Sequence, residues 1–360
     1  MLAAGGTGGH LFPAFALAEE LQRRGYAVDL VTDMRGDRYG TGFPARKVYQ
    51  IPSATLAGRN PVAAAKTALT LAMGVRGAMK VLADVRPAAV VGFGGYPSFP
   101  PLIAASLKRV PSALHEQNAV LGRANRMLAK RVTAVATSFA TVKLLEGAAA
   151  AKARFTGNPV RDAVVTAARA PYRAAGAAEP FQLLVFGGSQ GARYFSEAMP
   201  PAIEKLPATL RQRLAITQQC REEDLAQVRE AYSRLGVHAE LATFFRDLPE
   251  RMARSHLVIG RAGASSVAEL AVMGRPSILV PLPHALDNDQ LNNARQLAES
   301  GASWCIEQKD LSPDRLAAEI QRLMTEPDIL VTAAAAAKAC GRPDAVMRLA
   351  DLVESLIAAS

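Results

Sequence analysis

Residues 182–192 read QLLVFGGSQGA, an apolar run that ends abruptly at two glycines. Gln182–Phe186 has the length and character of a strand buried on both faces, and Gly187-Gly188 permits the sharp turn from which a helix then starts. The same order recurs at the start of the chain. Met1–Ala4 runs into Gly5-Gly6-Thr7-Gly8-Gly9-His10, and a helix is expected from about Pro13, with Gly25 at its end. Further expected strands of this first series are Ala27–Thr32, Ala88–Val91, Ser112–His115 and Ala134–Thr137. The second series, which follows Gly157-Asn158-Pro159, continues through Leu214–Thr217, Leu257–Ile259 and Ser277–Pro281. Strands alternating with helices predict parallel sheets covered on both faces. Two series predict an α/β protein of two Rossmann-like parallel-sheet domains, residues 1–158 and 159–342, with residues 343–360 forming a helix that packs back on the first. Ligands are expected at the carboxyl ends of the strands and in the cleft that the domains face. The first strand is the weak point, because only four residues precede its glycine turn.

The chain has 360 residues, 50% hydrophobic and 21% charged, which is enough to bury large cores and excludes a disordered chain. Its 42 Lys and Arg against 32 Asp and Glu give a net charge of +10, unevenly placed. Residues 1–157 hold 20 basic and 8 acidic residues, and residues 158–360 hold 22 and 24. The first half therefore expects an anionic partner: nucleic acid, an anionic membrane surface or a phosphorylated substrate. Aromatics are 6% of the chain and Trp304 lies in the acidic half, so the basic stripe with interleaved aromatics of a nucleic-acid binder is not expected. Cys220, Cys305 and Cys340 lack CxxC spacing, which disfavours a zinc finger or a disulfide framework and points to a reducing compartment. MLAAGGTGGH has no leader character, and the uncharged run Pro87–Leu107 carries four prolines and three glycines. Neither a signal peptide nor a spanning helix is expected, and peripheral membrane attachment stays open.

Neither main glycine turn has the GxGxxG spacing of a dinucleotide fold or the Lys-Ser/Thr ending of a P-loop. Each still presents main-chain N–H groups and the positive end of a helix where a strand stops, a geometry that holds phosphate or pyrophosphate. At such a helix end His10 is kept neutral, as a base must be; the alternative is a cap or an anion contact.

GGTGGHLFPAFALAEEL, GFGGYPS, HEQNAVLGRANR, GNPVR, GGSQGA and RAGASSVAEL followed by DNDQLNNA occur in this order. Together they closely resemble the MurG family, inverting GT-B enzymes of glycosyltransferase family 28. The resemblance runs from Gly5 to about Ala350. It implies UDP-GlcNAc as donor, undecaprenyl-pyrophosphoryl-MurNAc-pentapeptide (lipid I) as acceptor, lipid II as product and no cofactor. It also implies a peripheral place on the cytoplasmic face of the inner membrane. Enzymes of the same architecture that act on another lipid or small-molecule acceptor, or that epimerise UDP-GlcNAc at C2, are the alternatives.

The resemblance implies site residues as well. Thr7, Gly8 and Gly9 belong to the first glycine loop, which lies at the cleft and faces the acceptor's pyrophosphate, and His10 or Glu116 is the base. Asn118 contacts the donor sugar, and Arg161 offers a guanidinium fork to a phosphate or forms an interdomain salt bridge. Ser189 and Gln190 suit the UDP diphosphate. Ala264, Ser265, Ser266, Val267, Ala268 and Glu269 line the donor pocket, where Glu269 holds the ribose hydroxyls or else lies on a solvated helix face. Phe245 reads uracil through its main chain, and Gln290 touches the donor sugar.

Two departures from the family stand out. Thr217-Gln218-Gln219-Cys220 occupies the place of a His-Gln-(Ser/Thr)-Gly run, so a histidine contact is missing. Asp287-Asn288-Asp289 spells the DxD of metal-dependent GT-A enzymes, yet it follows a Pro-rich turn in a segment matching a metal-free donor site, so no metal is expected. In the basic half, Pro61–Leu82 mixes Leu69, Leu71, Met73, Val75, Met79 and Val81 with Lys66, Arg76 and Lys80; Arg59 lies just outside, and Lys108 and Arg109 follow a second apolar stretch. This pattern suits a shallow contact with an anionic membrane, or a core-packed helix with solvated lysines.

Overall fold

The structure is a computed structural model that describes every residue except 6, 7, 34–41, 55–60 and 360, and no side chain at 8, 61, 62, 189–192 or 286. Thr7 and Arg59 therefore lie outside the described residues, as do the side chains of Gly8, Ser189 and Gln190. The chain forms two compact units, Met1–Arg161 with Arg342–Ser360, and Asp162–Gly341.

The first unit is built on a seven-stranded sheet of β1 (Leu2–Ala3), β2 (Asp29–Thr32), β3 (Lys47–Gln50), β4 (Val90–Gly92), β5 (Ser112–Glu116), β6 (Ala134–Thr137) and β7 (Ala153–Phe155), in the order 3-2-1-4-5-6-7. The second has six strands, β8 (Phe181–Phe186), β9 (Leu214–Gln219), β10 (His238–Ala242), β11 (Leu257–Gly260), β12 (Ser277–Leu279) and β13 (Ser303–Cys305), in the order 10-9-8-11-12-13. Every pairing among them is parallel. The strand order reverses between β1 and β4 and again between β8 and β11. At such a switch point the loops leaving adjacent strands part, and a crevice opens at their carboxyl ends.

The short first strand is real. β1 has two residues, yet Leu2 pairs with both Leu30 and Val91. Main-chain bonds from Ala4 to Val31 and from Phe93 to Ala3 extend its ladder, and Leu2, Ala3 and Ala4 are fully buried. The helix after it runs Gly8–Arg23, five residues earlier than the Pro13 start expected from sequence, so Pro13 lies inside it. Proline lacks the N–H that would reach the Gly9 carbonyl, so the helix forgoes one main-chain bond in its second turn.

Each sheet is covered on both faces. In the first unit Leu11, Leu17 and Leu21 of Gly8–Arg23 share a core with Leu349, Val353 and Leu356 of the last helix, Ala345–Ala358. Arg24 ties the two by donating to Asp351 and Glu354 at 2.6 Å each. The opposite face packs Leu82, Leu102 and Leu128 over Val90, Leu114 and Val135. The second unit centres on Leu183, Val185, Ile216 and Ile259 beneath Phe195, Met199 and Ile320.

Candidate functional site

In the first unit three loops converge at the carboxyl ends of β1, β4 and β5. His10 lies in the first turn of Gly8–Arg23, half-buried, with Gly9 exposed before it. Its Nδ1 is 3.2 Å from Oε1 of Gln117, in the loop after β5. The Gln117 side chain is buried and donates through Nε2 to the Phe93 carbonyl after β4, at 2.9 Å. Gly95 passes beside the ring with φ +67°, and a Cβ there would stand 3.3 Å from His10 Nε2. Glycine at this place thus permits both the left-handed backbone and the close approach. Burial holds the His10 imidazole below its ordinary pKa, opposed by its bonds to Gln117 and to the Phe93 main chain.

Glu116, the last residue of β5, is buried and heavily engaged. Its Oε1 accepts the Asn118 N–H at 2.9 Å and Asn118 Nδ2 at 3.4 Å. Its Oε2 accepts the Gly122 N–H at 2.9 Å and Asn125 Nδ2 at 2.6 Å. Burial pushes the carboxyl pKa up, and these donors oppose it. Asn118 is half-buried and anchored by the same carboxylate. Arg161 lies with its guanidinium 5.5 Å from the centre of the exposed Phe12 ring, two residues along the helix from His10.

The second unit repeats the plan. Gly188–Glu204 begins directly after β8, with Gly188 at φ +65° and Ser189 and Gln190 in its first turn. The Gly188 N–H donates to Gln219 Oε1 at 3.1 Å, and Gln219 Nε2 donates to the Thr243 carbonyl at 3.1 Å. After β11 the helix Ala264–Met273 starts at its N-cap Gly263. Ala264, Ser265, Ser266 and Ala268 are half-buried, whereas Val267 packs inward. Glu269 is buried, which overturns a solvated helix face for it. Ser265 Oγ is buried with no hydrogen-bond partner among the described residues. Gln290 uses Oε1 to accept the Ala262 and Leu282 N–H groups at 3.2 and 3.0 Å, joining the ends of β11 and β12. The Phe245 ring is buried with the Arg251 guanidinium 4.4 Å from its centre, while Phe244 is exposed.

Of the DxD carboxylates, Asp289 accepts its neighbour Gln290's N–H at 2.7 Å, and Asp287 takes a left-handed backbone. Among the described residues no group of three or more His, Cys, Asp or Glu side chains is gathered for a metal ion.

The apolar set of the first unit's long helix, Pro61–Val85, divides. Met79 and Val81 pack against the core, whereas Leu69 and Met73 are exposed beside exposed Lys66, Arg76 and Lys80. Leu107, at the end of Phe99–Leu107, is also exposed, next to Lys108 and Arg109.

His115, Gln117, Asn125, Gln219 and Arg261 were not among the site candidates. The signal for the first two was the polar run after a buried strand, and for Asn125 the HEQNAVLGRANR segment that contains it. For Arg261 it was the RAGASSVAEL segment that it opens; it donates to the Val280 and Pro281 carbonyls at 3.1 Å and to Gln308 at 2.7 Å.

Comparison with known proteins fits this architecture. The glycosyltransferase family 28 N-terminal domain model matches residues 1–137, and the C-terminal domain model matches residues 182–349. A UDP-N-acetylglucosamine--N-acetylmuramyl-(pentapeptide) pyrophosphoryl-undecaprenol N-acetylglucosamine transferase of Rhizobium johnstonii is 53% identical over 360 residues, covering 99% of this chain and 95% of the relative. The enzyme of that name from Brucella suis is 54% identical over 357 residues, covering 99% and 94%. Among solved structures, Acinetobacter baumannii MurG has a TM-score of 0.82 at 28% identity, covering 99% of this chain and 98% of its own. A UDP-GlcNAc 2-epimerase of Neisseria meningitidis has a TM-score of 0.67 at 12% identity over 100% and 99% of the chains, a likeness of fold alone. With two parallel-sheet units of GT-B type and both domain models matched in order, the chain belongs to glycosyltransferase family 28.

Proposed function

We infer that this protein transfers N-acetylglucosamine from UDP-GlcNAc to the MurNAc 4-hydroxyl of lipid I, forming lipid II with inversion at the anomeric carbon. The observation that carries the reading is identity of 53% along 99% of the chain with an enzyme named for that transfer. In the step, the 4-hydroxyl oxygen attacks the anomeric carbon from the face opposite UDP. The bond from that carbon to the diphosphate oxygen breaks, the new glycosidic bond forms, and the hydroxyl proton passes to His10 Nε2. His10 fits the base role because burial keeps it neutral. Glu116 fits it poorly, because both its oxygens already accept hydrogen bonds.

The departing diphosphate gathers charge, and the N-terminal turn of Gly188–Glu204, with Ser189 and Gln190, offers the positive helix end and N–H groups that stabilise it. Arg161 serves a phosphate, and Asn118 and Gln290 serve the donor sugar, Gln290 through the Nε2 that its two main-chain bonds leave unused. Ala264–Glu269 and the Phe245 main chain hold the uridine, with Glu269 on the ribose. Thr7, Gly8 and Gly9 serve the acceptor's pyrophosphate, Gly8 and Gly9 from the first turn of Gly8–Arg23.

For localisation, the reading is a peripheral protein on the cytoplasmic face of the inner membrane. Exposed Leu69 and Met73 beside Lys66, Arg76 and Lys80, and exposed Leu107 beside Lys108 and Arg109, support shallow docking on an anionic leaflet rather than on nucleic acid. No helix among the described residues is long and apolar enough to cross a membrane.

The test is the acceptor dependence and stereochemistry of donor turnover. UDP release that requires lipid I and yields a β-1,4 disaccharide supports the reading; conversion of UDP-GlcNAc to its C2 epimer without acceptor refutes it.

A further inference from the structure

Hydrogen-bond directions in the first unit can be assigned from chemistry alone, beginning at a carbonyl. His115 Nε2 is 3.1 Å from the Gly157 carbonyl, which only accepts, so Nε2 carries the proton. The ring is fully buried and its pKa is pushed down to about 4, mainly by that burial, so at neutral pH it holds a single proton. His115 Nδ1 is then an acceptor, and it receives Gln117 Nε2 at 3.1 Å. The second hydrogen of that amide goes to the Phe93 carbonyl at 2.9 Å. Flipping the amide would set its oxygen against both acceptors, so Oε1 must be the atom that faces His10 Nδ1 at 3.2 Å. An amide oxygen only accepts, so the bond to Gln117 places the His10 proton on Nδ1; the Phe93 carbonyl, which also lies against the ring, is already the acceptor of the Gln117 amide.

We propose that His115 and Gln117 are positioning residues whose bond chain, anchored on the Gly157 carbonyl, holds neutral His10 as its Nδ1–H tautomer and leaves Nε2 as the proton acceptor. The proposal rests on His10 being the base. Without the chain either ring nitrogen could carry the proton, and a ring protonated on Nε2 cannot take one there. The chain is braced at its Gly157 anchor and at the His115 ring. Gly157 has φ +85°, and a Cβ on it would stand 2.7 Å from the Arg342 Cβ, so the carbonyl is presented by a residue that must be glycine. Thr156 Oγ1 also donates to that carbonyl at 3.0 Å. Next to the anchor, the ring of His115 packs against Phe93, centroids 5.6 Å apart. The titratable group facing His10 through the chain is His115, which is kept neutral; the adjacent Glu116 carboxylate is occupied by its own donors.

The experiment uses the full chain with 15N-labelled histidine, its five histidines separated in long-range 1H–15N spectra by comparison with His10→Ala. The expected result is a neutral His10 protonated on Nδ1. In Gln117→Leu the tautomer should move toward Nε2–H, and kcat should fall by roughly 10²-fold with KM little changed, the scale of a lost general base. His115→Phe should cost less, since the bond from Gln117 to Phe93 survives. Gln117→Glu should keep an acceptor for Nδ1–H and raise the acid limb of the pH profile. A wild-type Nε2–H tautomer, or a Gln117→Leu protein with unchanged tautomer and kcat, would overturn the proposal. A His10→Ala protein at full kcat would instead overturn the base reading itself, whatever the tautomer.

Discussion

Asn125 donates its Nδ2 to Glu116 Oε2 across 2.6 Å, closing a loop of nine residues around a buried carboxylate. With the main-chain N–H groups of Asn118 and Gly122 also aimed at it, Glu116 is the post on which the loop after β5 hangs. Glu116→Ala would leave those donors buried and unpaired, a loss of about 2–4 kcal/mol. Activity and thermal midpoint should fall together in that variant. His10→Ala should lose activity with little change in midpoint. Calorimetry beside turnover separates the two roles, and a stable but inactive Glu116→Ala would contradict this assignment.

A base must be unprotonated, and burial lowers the His10 pKa below the ordinary imidazole value. Turnover should therefore be retained as pH falls through the ordinary histidine range, and be lost only at lower pH, where His10 takes up its proton. The acid limb of kcat/KM measures this, and a limb above the ordinary value would count against His10.

Stability should carry a separate signature from His115. Its folded pKa of about 4 lies below the unfolded value of 6.5, so between them the unfolded chain binds more protons. Stability from this group is full above the unfolded pKa and is lost as pH falls toward the folded one, by about 3 kcal/mol in all. Urea midpoints from pH 7 down to pH 4 should decline, and His115→Phe should flatten the decline.

The exposed pair Leu69 and Met73 stands one helical turn apart among lysines and an arginine. The double change Leu69→Glu with Met73→Glu should weaken binding to phosphatidylglycerol vesicles by more than about tenfold and leave the thermal midpoint in place. Raising salt should weaken the wild-type protein as well. Sedimentation with such vesicles reads both effects.

The buried middle of each sheet was legible because a strand covered on both faces must be an apolar run, and a glycine turn marks where it stops. The four strands that went unread, β3, β7, β10 and β13, are the four sheet edges. Lys47–Gln50 and His238–Ala242 carry charge on an open side, so their pairing is dictated by the neighbouring strand and leaves no apolar run. The site was legible in part for a similar reason. His10 and Glu116 are candidates by type and position, but what surrounds them depends on Gln117, which reaches His10 from the loop after another strand, and on Asn125, which turns back on Glu116 from the helix that follows. No local spacing encodes that. The helix start at Gly8 was missed because Pro13 looked like a first-turn proline, whereas it lies in the second turn.

The most direct test is transfer of labelled GlcNAc from UDP-GlcNAc to a short-chain lipid I analogue, with UDP-GalNAc as the competing donor. The expected result is a labelled β-1,4 disaccharide on the lipid, formed from UDP-GlcNAc in strong preference to UDP-GalNAc and lost in His10→Ala. No lipid-linked product, or equal use of the two donors, would contradict the account.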